Sequence, residues 1–226
     1  IAPGDFDGDG RTDVAVWRPE NGTWYLLRST AGFTAFQFGA LGDIPAAADY
    51  DGDGRADVAV FRPSTGVWYV LRSSGGTTIV QFGQNGDVPV RGDFDGDGKT
   101  DLSVYRNGIW WILNSSGGVA VENFGATGDI VVAGDFDGDG KTDPAVFRPS
   151  DGIWYILRSS DRGVTYKQFG ISGDIPSPGD YDGDGKTDAA VYRDGVWHVE
   201  RSTGGVLITP FGVSGDRPVP AFAGIR

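Results

Sequence analysis

The chain has 226 residues, 39% hydrophobic and 22% charged, with 38 glycines and 12 prolines, which describes a soluble, turn-rich protein able to bury a core and excludes disorder. Its 31 acidic residues against 19 basic ones leave a net charge of −12 and a pI near 4.4, which argues against nucleic acid as a partner. There is no cysteine for a disulfide framework, one histidine, and no apolar run of the ~18 residues that membrane insertion requires.

No signal-like or transit-like segment opens the chain and no Met is present, so a processed or excised segment is expected. The first informative element is Asp5-Phe6-Asp7-Gly8-Asp9-Gly10-Arg11-Thr12-Asp13. Carboxylates at positions 1, 3, 5 and 9 of so short a loop converge only if the backbone curls around a centre, and Gly8 and Gly10 allow that curl. Asp5, Asp7, Asp9, Asp13 and the inward carbonyl of Arg11 then form a set of hard oxygen donors. Such a set suits calcium better than magnesium, which demands a tighter octahedron, or zinc, which wants His and Cys.

The element recurs four more times, beginning at Asp49, Asp93, Asp135 and Asp180, at intervals of 44, 44, 42 and 45 residues. The corresponding ligands are Asp49, Asp51, Asp53, Arg55 and Asp57; Asp93, Asp95, Asp97, Lys99 and Asp101; Asp135, Asp137, Asp139, Lys141 and Asp143; and Asp180, Asp182, Asp184, Lys186 and Asp188. Arg and Lys contribute through the backbone carbonyl. Five calcium ions are expected, one per repeat, and they would bring the formal charge from −12 to −2. Without them the crowded carboxylates repel, so calcium binding should contribute directly to folding free energy. An EF-hand is excluded because position 12, where a Glu is required, is Val16, Val60, Val104, Val146 or Val191, each in a run that reads as a strand.

Between loops the second repeat shows the order well: strands over 44–50, 56–62, 67–73 and 77–82, separated by the acidic loop and by turns at Pro63-Ser64-Thr65-Gly66, Gly75-Gly76 and Gly83-Gln84-Asn85-Gly86-Asp87. Four strands in a period of ~40 to 45 residues predict a β-propeller blade. The repeats are 1–43, 44–87, 88–129, 130–174 and 175–216, within one domain, followed by a surplus strand in 217–226. Residues 1–4 align with the second half of a first strand and 217–222 with another first strand. A closed ring with a redundant edge, a piece of a longer propeller, and a strand pairing with a neighbouring molecule all accommodate this.

Trp24, Trp68, Trp110, Trp154 and Trp197 recur after the Gly turn, and core packing between blades is expected over the other reading, a sugar-stacking platform. Arg18, Arg62, Arg106, Arg148 and Arg193 recur with Asp43, Asp87, Asp129, Asp174 and Asp216, and predict a latch from each Arg to a turn Asp or strand-end carbonyl of an adjacent blade. Arg91-Gly92-Asp93 reads as an adhesion tripeptide, but Asp93 is already assigned as a ligand. Asn21-Gly22-Thr23 and Asn114-Ser115-Ser116 fit a glycosylation sequon, a pattern common by chance. Few polar residues break the repeat (Glu20, Glu122, Glu200, Asp161, Arg162, Lys167, His198), His198 is expected to pack, and no acid/base pair or nucleophile set can be assembled from them. No catalytic residue and no enzyme activity are expected.

The run Gly4-Asp5-Phe6-Asp7-Gly8-Asp9-Gly10 followed by Thr12-Asp13-Val14-Ala15-Val16, together with Phe38-Gly39, Phe82-Gly83, Phe124-Gly125, Phe169-Gly170 and Phe211-Gly212, resembles the FG-GAP/VCBS repeats of integrin α-subunits and many secreted bacterial proteins. The resemblance implies an all-β propeller of five four-stranded blades, each with a calcium loop between its first and second strands. The chain departs from the integrin pattern in having the loop in every blade and only five blades. The resulting expectation is a secreted or cell-surface, calcium-stabilised, non-catalytic adhesion, interaction or structural module. Its partner would be a protein or glycan on a cell surface or in the extracellular matrix. A carbohydrate-binding lectin, and a subunit of an extracellular fibre self-associating through its C-terminal strand, are the alternatives.

Overall fold

A computed structural model of the protein describes residues 4–218, and among these there are strands, turns and no helix. The strands form five antiparallel sheets that follow one another along the chain. The first contains β1 (Val14–Arg18), β2 (Thr23–Arg28) and β3 (Gly32–Gln37), with Gly4 bridged to Asp13 beside β1. The second contains β4 (Ile44–Pro45), β5 (Val58–Arg62), β6 (Val67–Leu71) and β7 (Thr77–Gln81). In the third are β8 (Val88–Gly92), β9 (Asp101–Arg106), β10 (Ile109–Leu113) and β11 (Val119–Asn123). The fourth has β12 (Ile130–Gly134), β13 (Asp143–Arg148), β14 (Ile153–Leu157) and β15 (Val164–Gln168). The fifth has β16 (Ile175–Pro176), β17 (Ala189–Arg193), β18 (Val196–Arg201) and β19 (Gly205–Pro210). Each acidic loop lies where expected, just before the second strand of its sheet. The first strand expected over 44–50 is shorter: β4 pairs at two residues, and the ladder resumes only at the Ala48–Asp57 bridge. The surplus strand expected in 217–226 falls almost wholly outside the described residues.

By compactness the described residues divide into two units, 4–106 with 111–121 and 107–110 with 122–218. Within the first, Ala15, Trp17 and Trp24 share a core with Val58 and Val60, and Phe61 and Trp68 share one with Val104. Within the second, Ala145, Phe147 and Trp154 share a core with Ala189 and Val191. Sheets thus pack face to face, which explains the strand sequences. A second strand such as Val58-Ala59-Val60-Phe61 is covered on both faces and is apolar throughout. The outer strand β7 alternates half-buried and exposed positions.

Trp24, Trp68, Trp110 and Trp154 are fully buried, so the core reading holds and their rings are closed to any sugar. Each indole N–H donates to the carbonyl of the Phe in the Phe-Gly pair: Phe38, Phe82, Phe124 and Phe169, at 2.9, 2.9, 2.9 and 2.7 Å. The recurring Phe-Gly and the recurring Trp are therefore two halves of one contact. The turn glycine completes it. Phe82 N–H donates to Gly66 C=O at 2.9 Å, and a Cβ on Gly66, whose φ is +67°, would lie 2.1 Å from the Gly83 oxygen. His198 sits half-buried in β18 opposite Val191 and Ile208, as a packing residue would.

The arginine latch exists and takes the expected turn aspartates, though each pair lies beside the first two strands of one blade rather than between adjacent blades. Arg62, Arg106, Arg148 and Arg193 each fork onto Asp43, Asp87, Asp129 and Asp174 through Nε and Nη2. Because Ile44 pairs with Phe61, Asp43 and Arg62 are cross-strand neighbours within one blade. The aspartate tethers the incoming turn as well, accepting the N–H of Ala40, Gln84, Ala126 or Ile171. This i,i+3 hydrogen bond orients the carboxylate within the turn. Arg18 instead bonds the Tyr25 hydroxyl and has no carboxylate partner among the described residues.

Replacing Arg62 with Ala leaves the fully buried Asp43 carboxylate with one N–H donor and should cost about 2–3 kcal/mol. In a chain of this length that lowers the melting midpoint by roughly 5–10 °C. Cation stoichiometry, measured in parallel, should not change; a lost ion would place Arg62 in the metal site instead.

Candidate metal centre

The loop starting at Asp93 shows how the backbone builds the site. Asp93 Oδ1 accepts Gly96 N–H at 2.6 Å and Asp97 N–H at 3.2 Å, while Oδ2 accepts Gly98 N–H at 2.8 Å. Three amides thus wrap around the first carboxylate, a curl that needs positive φ at Gly96 (+80°) and Gly98 (+85°). At the other end Asp101 closes the loop, accepting Phe94 N–H and Ser115 N–H, both at 2.7 Å. The same bonds recur in the other loops, for example Phe6 N–H and Ser29 N–H on Asp13.

Carboxylate oxygens of positions 1, 3 and 9 come within 4.8 Å of one another in four loops: Asp5, Asp7 and Asp13; Asp93, Asp95 and Asp101; Asp135, Asp137 and Asp143; and Asp180, Asp182 and Asp188. In the second loop the group is Asp49, Asp51 and Asp53, and Asp57 makes the same backbone bonds, to Tyr50 and Ser73, as its counterparts. The position-5 carboxylates Asp9, Asp97, Asp139 and Asp184 lie outside these groups and are hydrogen-bonded to the amide of position 7 and to a serine hydroxyl. Five acidic clusters able to hold a metal ion, one per blade, are therefore in place. Their donors are all hard oxygens, and Asp7 Oδ1 and Asp182 Oδ1 are buried without a hydrogen-bond partner, so the residues fit an oxygen-seeking divalent cation.

A serine pair in every repeat went unassigned in the sequence. Ser29-Thr30, Ser73-Ser74, Ser115-Ser116, Ser159-Ser160 and Ser202-Thr203 follow the third strand and sit over the loop. Ser115 Oγ donates to Asp97 at 2.6 Å and Ser116 Oγ to Asp95 at 2.5 Å; Ser74 Oγ bonds Asp51 and Thr203 Oγ1 bonds Asp182. The signal was the fivefold recurrence of a hydroxyl pair some twenty residues beyond each Asp string. Its place in a strand-end turn disguised it as ordinary turn chemistry, and at Asn114-Ser115-Ser116 as a sequon.

Neighbouring loops are also tied together. Ala56 N–H donates to Asp5 C=O at 2.6 Å, Thr100 N–H to Asp49 C=O at 2.7 Å, and Thr187 N–H to Asp135 C=O at 2.6 Å. Above these bonds the side chains of Arg55, Lys99 and Lys186 lie against Gly8, Gly52 and Gly138 of the preceding loop, so close that a Cβ there would stand 2.7, 3.0 and 2.8 Å away. The basic residue at position 7 thus brings a positive charge to its neighbour's acidic loop. The Arg91-Gly92-Asp93 tripeptide is closed as an adhesion signal: Arg91 Nη1 donates to Ala47 C=O at 2.7 Å, and burial pushes its pKa down to about 10.

Burial pushes the carboxyls of Asp57, Asp101 and Asp143 up to about 6, against backbone amides that pull them down and with help from neighbouring carboxylates. These groups hold their protons more tightly folded than unfolded, where Asp titrates near 3.8. Metal-free stability should therefore be greatest below about pH 4, fall as pH rises to about 6, and level off above. Asp9 and Asp182, whose pKa values are lowered chiefly by the hydroxyls of Ser29 and Thr203, act oppositely and only below that window. Thermal unfolding in chelator from pH 4 to 7 checks this; a midpoint that climbs across the window contradicts it.

Residues 5–60 and 49–104 each match the FG-GAP-like repeat family. No curated protein matches the chain. Among solved structures, virginiamycin B lyase from Staphylococcus aureus superposes with a TM-score of 0.66 at 8% identity over 99% of this chain and 74% of that one. A streptogramin B lyase gives 0.65 at 11% identity, covering 96% and 72%. BBS1N, solved in complex with ARL6DN, gives 0.54 at 16%, covering 92% and 64%. At such identities the likeness speaks to fold alone, and that fold is an all-β five-bladed propeller.

Proposed function

We propose, from the match of residues 5–104 to the FG-GAP-like repeat family, that the whole chain is built of such repeats and is a calcium-stabilised, non-catalytic interaction module that works where calcium is abundant, outside the cell or at its surface. The observation that carries this reading is the uniformity of the five acidic clusters. Each is wrapped by its own amides, roofed by a serine pair and placed at the same turn of its blade, so the ions would serve the scaffold in every repeat alike. Asp5, Asp7 and Asp13 and their counterparts would hold the cation, which supplies the positive charge that lets crowded carboxylates share a site.

The polar residues that break the repeat support the non-catalytic part. Arg158 pairs with Asp161, Arg162 with Glu122 and Lys167 with Glu200, as partly exposed ion pairs rather than a convergent constellation. An interaction surface must then come from exposed blade edges, and the ligand class is a protein or glycan presented outside the cell. Native mass spectrometry during calcium titration tests the metal reading: up to five ions should load, and none loading would end it. A glycan array and a surface-protein pulldown in calcium buffer separate the two ligand classes.

A further inference from the structure

The residue at position 7 of an acidic loop is held from two sides. Lys99 N–H donates to Asp97 Oδ1 of its own loop at 2.9 Å, while its side-chain stem lies across Gly52 of the preceding loop, where a Cβ would stand 3.0 Å from Lys99 Cγ and Cε. The next residue makes a second grip, Thr100 N–H on Asp49 C=O at 2.7 Å. Gly52 and Asp49 are themselves joined, because Asp49 Oδ1 accepts Gly52 N–H at 2.6 Å and Oδ2 accepts Gly54 N–H at 2.8 Å. Two consecutive residues thus carry a continuous path from the Asp97 carboxylate of one acidic loop to the Asp49 carboxylate of the loop before it.

The path recurs. Arg55 N–H donates to Asp53 Oδ1 at 2.9 Å, the Arg55 side chain lies on Gly8, and Ala56 N–H donates to Asp5 C=O at 2.6 Å. Lys186 N–H donates to Asp184 Oδ1 at 2.8 Å, its stem lies on Gly138, and Thr187 N–H donates to Asp135 C=O at 2.6 Å. The first two bridges lie inside one compact unit and the third inside the other. Among the described residues none of the three basic side chains forms an ion pair with a carboxylate, so the contact on the glycine is one of packing.

We propose that residues 55–56, 99–100 and 186–187 couple neighbouring acidic clusters, so that cations load onto adjacent blades of a unit with positive cooperativity. This rests on the clusters holding cations. An ion that orders one loop also fixes its two-residue bridge, and the bridge holds the first aspartate of the neighbouring loop together with the glycine that aspartate binds. The neighbour then binds with part of its ordering entropy already lost, and by reciprocity it favours the first site equally. Repulsion between the two ions opposes this. The loops are largely exposed, however, and salt screens charges there over about 8 Å, whereas the bridging hydrogen bonds act at contact.

Native mass spectrometry across a calcium titration tests the coupling by reading how many ions each molecule carries, at a temperature where circular dichroism shows the metal-free chain folded. Independent sites give a spread of ion counts no wider than binomial, and coupled sites widen it by depleting partly loaded species. In the wild type one ion should tighten the neighbouring site at least about fivefold. Asp95→Asn should remove one ion at saturating calcium but more than one at the concentration that half-loads the wild type. Lys99→Ala, which leaves every carboxylate in place, should narrow the spread at an unchanged maximum. Lys99→Met keeps the stem without the charge and should retain the coupling. A wild-type spread no wider than binomial overturns the proposal and leaves the metal reading standing. So does a Lys99→Ala chain that loads as the wild type does, or an equal narrowing in Lys99→Ala and Lys99→Met. A chain that takes up no ion ends the metal reading and the coupling together.

Discussion

Chelation of divalent cations should lower the melting midpoint of this chain by tens of degrees, and calcium should restore it. Each site contributes about 2.7 kcal/mol when free cation stands about a hundredfold above its dissociation constant. Five such sites together rival the ~5–15 kcal/mol that a domain has in total. The protein's own groups explain why so much rests on the ions. Asp57, Asp101 and Asp143 are buried at the foot of their loops, and neighbouring carboxylates add like charge, from positions 1 and 3 at Asp57 and Asp101 and from position 3 at Asp143. Without a cation this repulsion recurs in every blade, and the backbone links from Ala56 to Asp5 and from Thr100 to Asp49 pass the distortion between loops. Differential scanning calorimetry with and without chelator is the measurement; coincident transitions would remove the cation from the folding free energy. Magnesium should restore less than calcium, since it prefers a tighter octahedron with more water.

Trp68→Ala should be the most damaging single substitution outside the loops, costing about 3–5 kcal/mol. Trp68 is fully buried between Phe61 and Tyr50, with ring centroids 5.2 and 6.4 Å away, and packs in the cluster that includes Val104 of the next sheet. Its loss opens a cavity between two blades and strands the Phe82 carbonyl. Trp68→Phe separates the two effects, because it keeps most of the ring packing and loses only the 2.9 Å hydrogen bond, and should cost about 1–3 kcal/mol. Equilibrium denaturation of both variants in calcium reads the difference. Equal losses would mean that the hydrogen bond, and not the ring, dominates at this position.

The two readings of the tryptophans show where sequence stops. A Gly-x-Trp-Tyr string says that an aromatic recurs on a strand, and core and platform share that pattern. Only the seating of the next blade on the ring decided for core. The arginine and aspartate were recognisable as partners from their recurrence, yet which strand each belonged to depended on the register of Ile44 with Phe61, a long-range pairing that spacing does not encode. The serine pairs were hidden for a similar reason: they are about twenty residues from the carboxylates they hold, and nothing local distinguishes them from turn residues.

By itself the sequence determined the repeat, the number of blades, the strand order within each and the carboxylates of the acidic loops, because those follow from short-range spacing. The tertiary structure decided which of these carboxylates converge, what holds them and how one loop leans on the next. Those properties arise from contacts between segments tens of residues apart, which form only when the sheets have packed against one another.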